Sequence, residues 1–317
     1  MDLKVRNLKE ALLESGISSK LIERLFSIGI DEVRYMTGSE LAERLKVDSK
    51  TARKILKAIG SVYVEIRPAA EVSRLKRKLK IGVREIDELL GGGLEQGTMV
   101  ELYGRPASGK TQMAMHITIN ARLDEEKGGL GKDTKVFYID TERGFSPSRI
   151  CEMCEFRGLD PKRVMDGVLY TSVGSTHELF VAAERALDLI KKENVRLIIV
   201  DSLLSFFRLE YQGIKELAAR QQAVKELMRV LRRACDKDVL VFLTNQVVGR
   251  VDRGVEIERY RPAGGFVLGH LPDLVLLIKR LKGNRRLIRI VDSSYLEEGE
   301  AIFAIERAGI VPVNPDQ

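Results

Sequence analysis

The stretch MVELYGRPASGKTQMAMHITINAR, residues 99–122, restricts the fold more than any other part of the chain. Its centre has the spacing G-x-x-x-x-G-K-T. Gly104, Gly109, Lys110 and Thr111 hold the fixed positions, with Arg105, Pro106, Ala107 and Ser108 between them. Glycines let successive N–H groups turn towards one point, and a helix starting near Lys110 adds its positive end. That arrangement suits a polyphosphate, with Lys110 as a mobile charge at the terminal phosphates and the Thr111 hydroxyl as a ligand for magnesium. It needs a strand before it, Met99 to Tyr103, and a helix after it, Gln112 to Arg122. An ordinary Gly-rich turn is the alternative for the bare pattern, and these flanking segments argue against it.

Further apolar runs follow at intervals: KVFYID, GVLYTSV, RLIIVD, VLVFLTN, LVLLIKR and RLIRIVD, separated by helix-like segments. Runs that are apolar throughout suit strands covered on both faces, so the expectation is an α/β core around a largely parallel sheet. Open sheets of this kind bind ligands beyond the carboxyl ends of their strands. RLIIVDS ends there in Asp201, a candidate magnesium carboxylate whose other reading is a turn cap. KVFYIDTE ends in Asp140 and Glu142. Nucleoside triphosphate hydrolysis needs a group that orients a water in line with the terminal phosphate, and Glu142 is the candidate. VLVFLTNQV ends in Thr244, Asn245 and Gln246, groups able to sense a terminal phosphate and pass its presence to the polar, Gly-rich segment VGRVDRGVEIERYRPAGGF. A second irregular piece, FRLEYQGIKELAARQQ, follows Asp201.

Ahead of this core, residues 1–61 read as a small all-helical domain, with LIERLF, SELAERL and KTARKILKAI at helical periodicity and polar breaks between them. Residues 62–80 lose the pattern and gather Arg67, Arg74, Lys76, Arg77, Lys78 and Lys80, which reads as a basic linker; the ATPase-like core is then 81–317. The 53 basic against 46 acidic residues leave a net charge of +7, which permits polyanion binding. No run approaches the roughly 18 apolar residues of a membrane helix. Three cysteines are too few for a disulfide framework, and the Cys151–Cys154 pair lacks the further ligands that zinc requires. The expectation is therefore a soluble protein of a reducing compartment, cytoplasmic and nucleoid-associated, with no membrane partner.

Taken together, GRPASGKTQ, FYIDTE, LIIVDSL, FRLEYQG with ARQQ, LTNQV, RPAGG with GH, and IVDSSYLEEGEAIFAI resemble the RecA superfamily, and within it the RadA-type recombinases. The resemblance runs in register from about Gly82 to Ile310, and the helical first domain matches in position as a helix-hairpin-helix-like unit. It implies a RecA-like core, ATP and Mg2+ as cofactors, and assembly on single-stranded DNA with pairing to double-stranded DNA and strand exchange in repair. By the same match Gly104 to Thr111 and Gln112 bind the nucleotide, Lys110, Glu142 and Gln246 serve hydrolysis, and Thr111 and Asp201 support the metal. His270 and Asp292 would complete the nucleotide site from the adjacent protomer. Lys215, Arg220, Arg250, Arg253 and Arg261 would meet DNA. Ile66 and Ala69, within IRPA, stand where the family carries its self-assembly plug.

The chain also departs from that pattern. Gly213-Ile214-Lys215 stands where the family's first DNA loop has an arginine between glycines, the cap segment lacks two prolines, and the plug has isoleucine in place of an aromatic residue. Three readings follow: a filament- or ring-forming recombinase, an accessory ATPase that works in a hetero-complex with another recombinase, and a RecA-fold signalling or structural ATPase without a DNA role.

Overall fold

The computed structural model describes residues 3–64, 66, 68, 77–249, 260–262 and 271–313, and the chain divides into two units, 1–74 and 75–317. The first unit is helical: α1 (Leu3–Glu14), α2 (Ser19–Ile28), α3 (Ile30–Val33), α4 (Gly38–Leu45) and α5 (Ser49–Tyr63). The polar breaks in the sequence are its caps. Ser18 accepts from the Leu21 N–H, Thr37 forms a reciprocal capping box with Glu40, and Asp48 accepts from the Lys50 and Thr51 N–H groups. Each satisfies donors that a helix start leaves open. Leu8, Leu12, Leu25, Leu41, Leu45 and Ile55 meet in the centre of the unit, each at most 1% exposed.

The second unit begins within the basic stretch, where β1 (Lys78–Leu79) pairs antiparallel with β2 (Leu94–Glu95) around α6 (Arg84–Leu89). Then follow β3 (Met99–Gly104), α7 (Lys110–Ala121), β4 (Lys135–Asp140), α8 (Pro147–Phe156), α9 (Pro161–Met165), β5 (Val168–Ser172), α10 (Thr176–Lys192) and β6 (Val195–Asp201). After these come α11 (Ser205–Glu210), α12 (Leu217–Cys235), β7 (Leu240–Gly249), β8 (Tyr260–Pro262), β9 (Leu274–Arg280), β10 (Arg285–Ser293), β11 (Glu300–Glu306) and β12 (Gly309–Pro312).

The large sheet has the order β12-β11-β10-β9-β3-β7-β6-β4-β5, with β8 pairing the end of β7. From β9 to β5 every pairing is parallel; β10, β11 and β12 extend the sheet antiparallel from β9. Helices cover both faces, which is why the strands read as unbroken apolar runs. On one face α7 packs Met113, Ala114 and Ile117 against Val100, Leu102, Tyr138 and Phe242. On the other, α10 and α12 set Leu179, Ala183, Leu227 and Leu231 against Ile139, Ile198, Val241 and Leu243. Among the described residues no helix is long and apolar enough to cross a membrane.

The segment after Asp201 is more regular than its sequence suggests. Residues 205–210 and everything from Leu217 to Cys235 are helical, leaving a short 3-10 turn at Ile214–Glu216 between them. The first turns of α12 are exposed, and its buried positions begin only at Val224, so the apolar period that marks an amphipathic helix starts late. Cys151 and Cys154 lie one turn apart on α8 as free thiols, and no metal-holding cluster of His, Cys, Asp and Glu occurs among the described residues.

Candidate nucleotide site

The loop from Gly104 to Thr111 leaves the end of β3 and enters α7, with Gly109 as the N-cap at φ 109°. Two glycines are fixed by close packing. A Cβ on Gly104 would stand 2.4 Å from the Ile278 carbonyl oxygen, and one on Gly109 would stand 2.4 Å from Ile305 Cδ1. Both neighbours come from the β9–β11 side of the sheet, so this wall presses the loop into its curve. Arg286 of β10 strengthens the contact: its Nε donates to the Ser108 carbonyl at 2.8 Å. Ala107 takes a left-handed conformation, φ 60°, at the loop's outer turn. Arg105, Pro106 and Ala107 are exposed, while Ser108 is buried.

Lys110 turns back over the loop and donates to the carbonyl oxygens of Gly104 and Arg105, at 3.1 and 3.0 Å. Burial lowers its pKa, and the carboxylates of Asp201 and Glu142 act in the opposite direction. Thr111 hydrogen-bonds the Asp201 carboxylate, which is 3% exposed at the end of β6. Tyr138 Oη donates to Asp201 Oδ2 at 2.8 Å, and Thr244 Oγ1 donates to Oδ1. Burial nevertheless raises the Asp201 pKa against all three hydrogen bonds. A carboxyl group in that position favours a nearby cation, because opposite charge restores what lost hydration removes. The residues present therefore fit magnesium, with Thr111 and Asp201 as its holders.

Glu142 lies on the loop after β4. That loop is tied down by Asp140, whose Oδ1 accepts the N–H groups of Glu142 and Gly144 at 3.1 and 3.2 Å while Oδ2 accepts that of Phe145 at 3.0 Å. Glu142 Oε1 receives Ser202 Oγ at 2.6 Å, Ser205 Oγ at 2.7 Å and Gln246 Nε2 at 3.0 Å. Burial works to raise the Glu142 pKa, but these hydrogen bonds and the Lys110 charge outweigh it, and the net shift is downward. A cavity of about 500 Å3 opens beside it, lined among others by Thr141, Ser205, Arg208 and Gln246. Arg208 of α11 donates from Nη1 to Gln246 Oε1 at 3.2 Å.

One sheet edge thus gathers Lys110, Thr111, Glu142, Asp201 and Gln246 from strands β3, β4, β6 and β7. Gln112, on the first turn of α7, accepts instead from Arg149 Nε at 2.9 Å. Asp292 is elsewhere: it pairs with Val275, and the chain leaves β10 at Ser293 level with the start of β9, the edge opposite the phosphate loop. Lys215 and Arg220 lie on the 3-10 turn and the first turn of α12, and among the described residues neither bonds to the nucleotide site. Arg261 belongs to β8 by its backbone. Ile66 is 95% exposed. Ala69, Arg250, Arg253 and His270 lie outside the described residues.

Several contributors had little mark in the sequence. Ser202 and Ser205 stand three residues apart behind Asp201, two hydroxyls on the turn that leads from β6 into α11, and so offered a signal. Arg208 and Arg286 offered none, since each acts on a residue far away in the chain.

A Rad51 family model matches residues 74–313. Among curated relatives, the DNA repair and recombination protein RadA of Aeropyrum pernix is 34% identical over 313 residues, 96% of this chain and 97% of its own length. Proteins of the same name from Ignicoccus hospitalis and Metallosphaera sedula are 37% and 35% identical, each comparison covering 93% of both chains.

Proposed function

Because this chain belongs to the Rad51 family, we propose that it is a RadA-like recombinase of DNA repair, which hydrolyses ATP and assembles on single-stranded DNA for pairing with a homologous duplex. The observation that carries this reading is the bond from Gln246 to Glu142. It joins the hydrolytic carboxylate to the end of β7, where the chain enters the polar segment containing Arg250 and Arg253.

The phosphate loop binds the triphosphate through its backbone N–H groups, and Lys110 exchanges its two carbonyl partners for the terminal phosphates. A magnesium ion held by Thr111 and Asp201 would neutralise charge on those phosphates. Glu142, kept ionised by three donors, accepts a hydrogen bond from the attacking water and sets it in line; its lowered pKa suits orienting the water better than removing its proton early. Gln246 bonds Glu142 and Arg208 together, so a change at the terminal phosphate reaches both flanking DNA segments. Lys215, Arg220, Arg250, Arg253 and Arg261 supply phosphate contacts in those segments. Asp292 leaves the sheet at the far edge and would meet the nucleotide of a second copy of the chain; His270 would join it there by the family match. Ile66 and Ala69 would join copies into a homo-oligomer.

Association with a fluorescent single-stranded oligonucleotide, measured with ATP, ADP or no nucleotide in the presence of magnesium, tests the reading. Tight binding and regular filaments by electron microscopy are expected with ATP. Equal binding in all three conditions would overturn it. DNA-stimulated hydrolysis without strand exchange would instead assign the chain as an accessory ATPase, for which the altered plug at Ile66 and the altered first loop at Gly213-Ile214-Lys215 are the motive.

A further inference from the structure

Glu101 sits in the middle of β3, the central strand, and is 0% exposed. A wholly buried acid needs a reason, since Glu is almost never fully buried unless paired. Among the described residues no cation faces it: burial alone raises its pKa to about 7, and the one opposing influence is a hydrogen bond from Asn245. Asn245 Nδ2 donates to Glu101 Oε1 at 2.6 Å, while Glu101 Oε2 has no hydrogen-bond partner among the described residues.

Asn245 is itself a bridge. Its side-chain Oδ1 accepts the N–H of Gln246 at 2.8 Å. An Asn amide can flip to present either end, and the acceptor on β3 fixes which end faces which way: nitrogen towards Glu101, oxygen towards Gln246. Gln246 in turn donates to Glu142 and accepts from Arg208. Hydrogen bonds therefore lead from Glu101 in the interior of the sheet through Asn245 to the backbone N–H of Gln246, whose side-chain amide makes its own bond to the candidate hydrolytic carboxylate Glu142.

We propose that Glu101 is a positioning residue for Gln246, acting through Asn245 to set where the coupling amide stands relative to Glu142. It touches neither nucleotide nor water. This role accounts for the burial of an acid in the central strand. An apolar residue at 101 would leave Asn245 Nδ2 without its acceptor on β3, and so loosen one of the bonds that orient the amide accepting the Gln246 N–H. The inference rests on the recombinase reading above, since it concerns how DNA binding is linked to hydrolysis.

The test compares Glu101→Gln, which keeps an acceptor oxygen for Asn245, with Glu101→Met, which removes it at similar volume, in full-length protein. Steady-state ATP hydrolysis is measured with and without single-stranded DNA. Glu101→Met is expected to lose about tenfold to a hundredfold of the DNA-stimulated kcat, with KM for ATP unchanged because the phosphate loop is untouched. Glu101→Gln is expected to restore the stimulation. Asn245→Ala cuts the same link without altering β3, so it should reproduce the loss, and the Glu101→Met, Asn245→Ala double variant should be no worse than either alone. Should Glu101→Met not fold, Asn245→Ala decides: retained stimulation there overturns the inference. Additive losses in the double variant, or a rise in KM matching the fall in kcat, also overturn it. A wild-type enzyme that DNA does not stimulate would defeat the recombinase reading instead, so the two failures are distinct.

Discussion

The side-chain amide of Gln246 donates to Glu142 Oε1 across 3.0 Å, linking the end of β7 to the loop after β4. The same oxygen accepts Ser202 and Ser205, so one carboxylate atom receives donors from three separate residues of the chain. Such a group is held ionised and held still. Glu142→Gln removes the charge while keeping the shape, and a fall in kcat of about 10²- to 10⁴-fold with ATP binding intact is expected. Single-turnover hydrolysis beside an equilibrium binding measurement separates the two effects; full turnover would reassign the role.

Gln246→Ala leaves Glu142 its two serine donors but removes the third, and with it the connection to β7 and Arg208. The expected result is basal hydrolysis within a few-fold of wild type and loss of its response to single-stranded DNA. Oligonucleotide binding that still distinguishes ATP from ADP in this variant would remove Gln246 from the coupling.

At Gly104 a methyl group would stand 2.4 Å from the Ile278 carbonyl and 2.8 Å from Ser108 Oγ. Gly104→Ala must push the loop away from β9. The expected cost is about 1–3 kcal/mol of stability together with a large loss of nucleotide affinity, read by denaturant unfolding and by titration with a fluorescent ATP analogue. An unchanged affinity would mean that the loop's curvature is not set by this wall.

His116 on α7 is buried, with Nε2 2.8 Å from the Ile81 carbonyl and Nδ1 accepting the Ile310 N–H at 3.2 Å. A ring that donates at one nitrogen and accepts at the other is neutral, and burial with nearby Arg157 lowers its pKa from 6.5 to about 3. The unfolded chain takes up a proton below 6.5 that the folded chain refuses until about 3, so stability is full above 6.5 and falls as pH is lowered through that window. The slope from this group is about 1.4 kcal/mol per pH unit. Unfolding curves across the window should show it, and His116→Gln should flatten it while lowering stability at neutral pH.

Lys215 is exposed on the 3-10 turn between α11 and α12. If it contacts a DNA phosphate, Lys215→Ala lowers the slope of log affinity against log salt by about 0.7 for single-stranded DNA, without changing ATP turnover in the absence of DNA. An identical slope would exclude it from the phosphate contacts.

Much of this molecule was legible locally. A glycine-spaced loop between an apolar run and a helix needs no tertiary knowledge to be read, because the run, the turn and the helix start are neighbours in sequence. Strand ends bearing Glu142, Asp201 and Gln246 were likewise visible, since unbroken apolar runs mark strands buried on both faces and their carboxyl ends face ligands. The antiparallel β11 and β12 were not distinguished as strands, because one face is exposed and their apolar runs are short.

By itself, then, the sequence determined the strand–loop–helix unit, the covered parallel sheet and the chemical type of each strand end, for these depend on spacing and apolar periodicity over a few residues. Only the tertiary structure decided which ends meet. The order β3-β7-β6-β4 brings Gln246 to Glu142, the antiparallel wing brings Arg286 to Ser108, and the pairing of β3 with β7 sets Glu101 against Asn245. Those contacts join residues separated by long stretches of chain, and a hydrogen bond of that kind exists only once burial of both sheet faces has fixed the strand order.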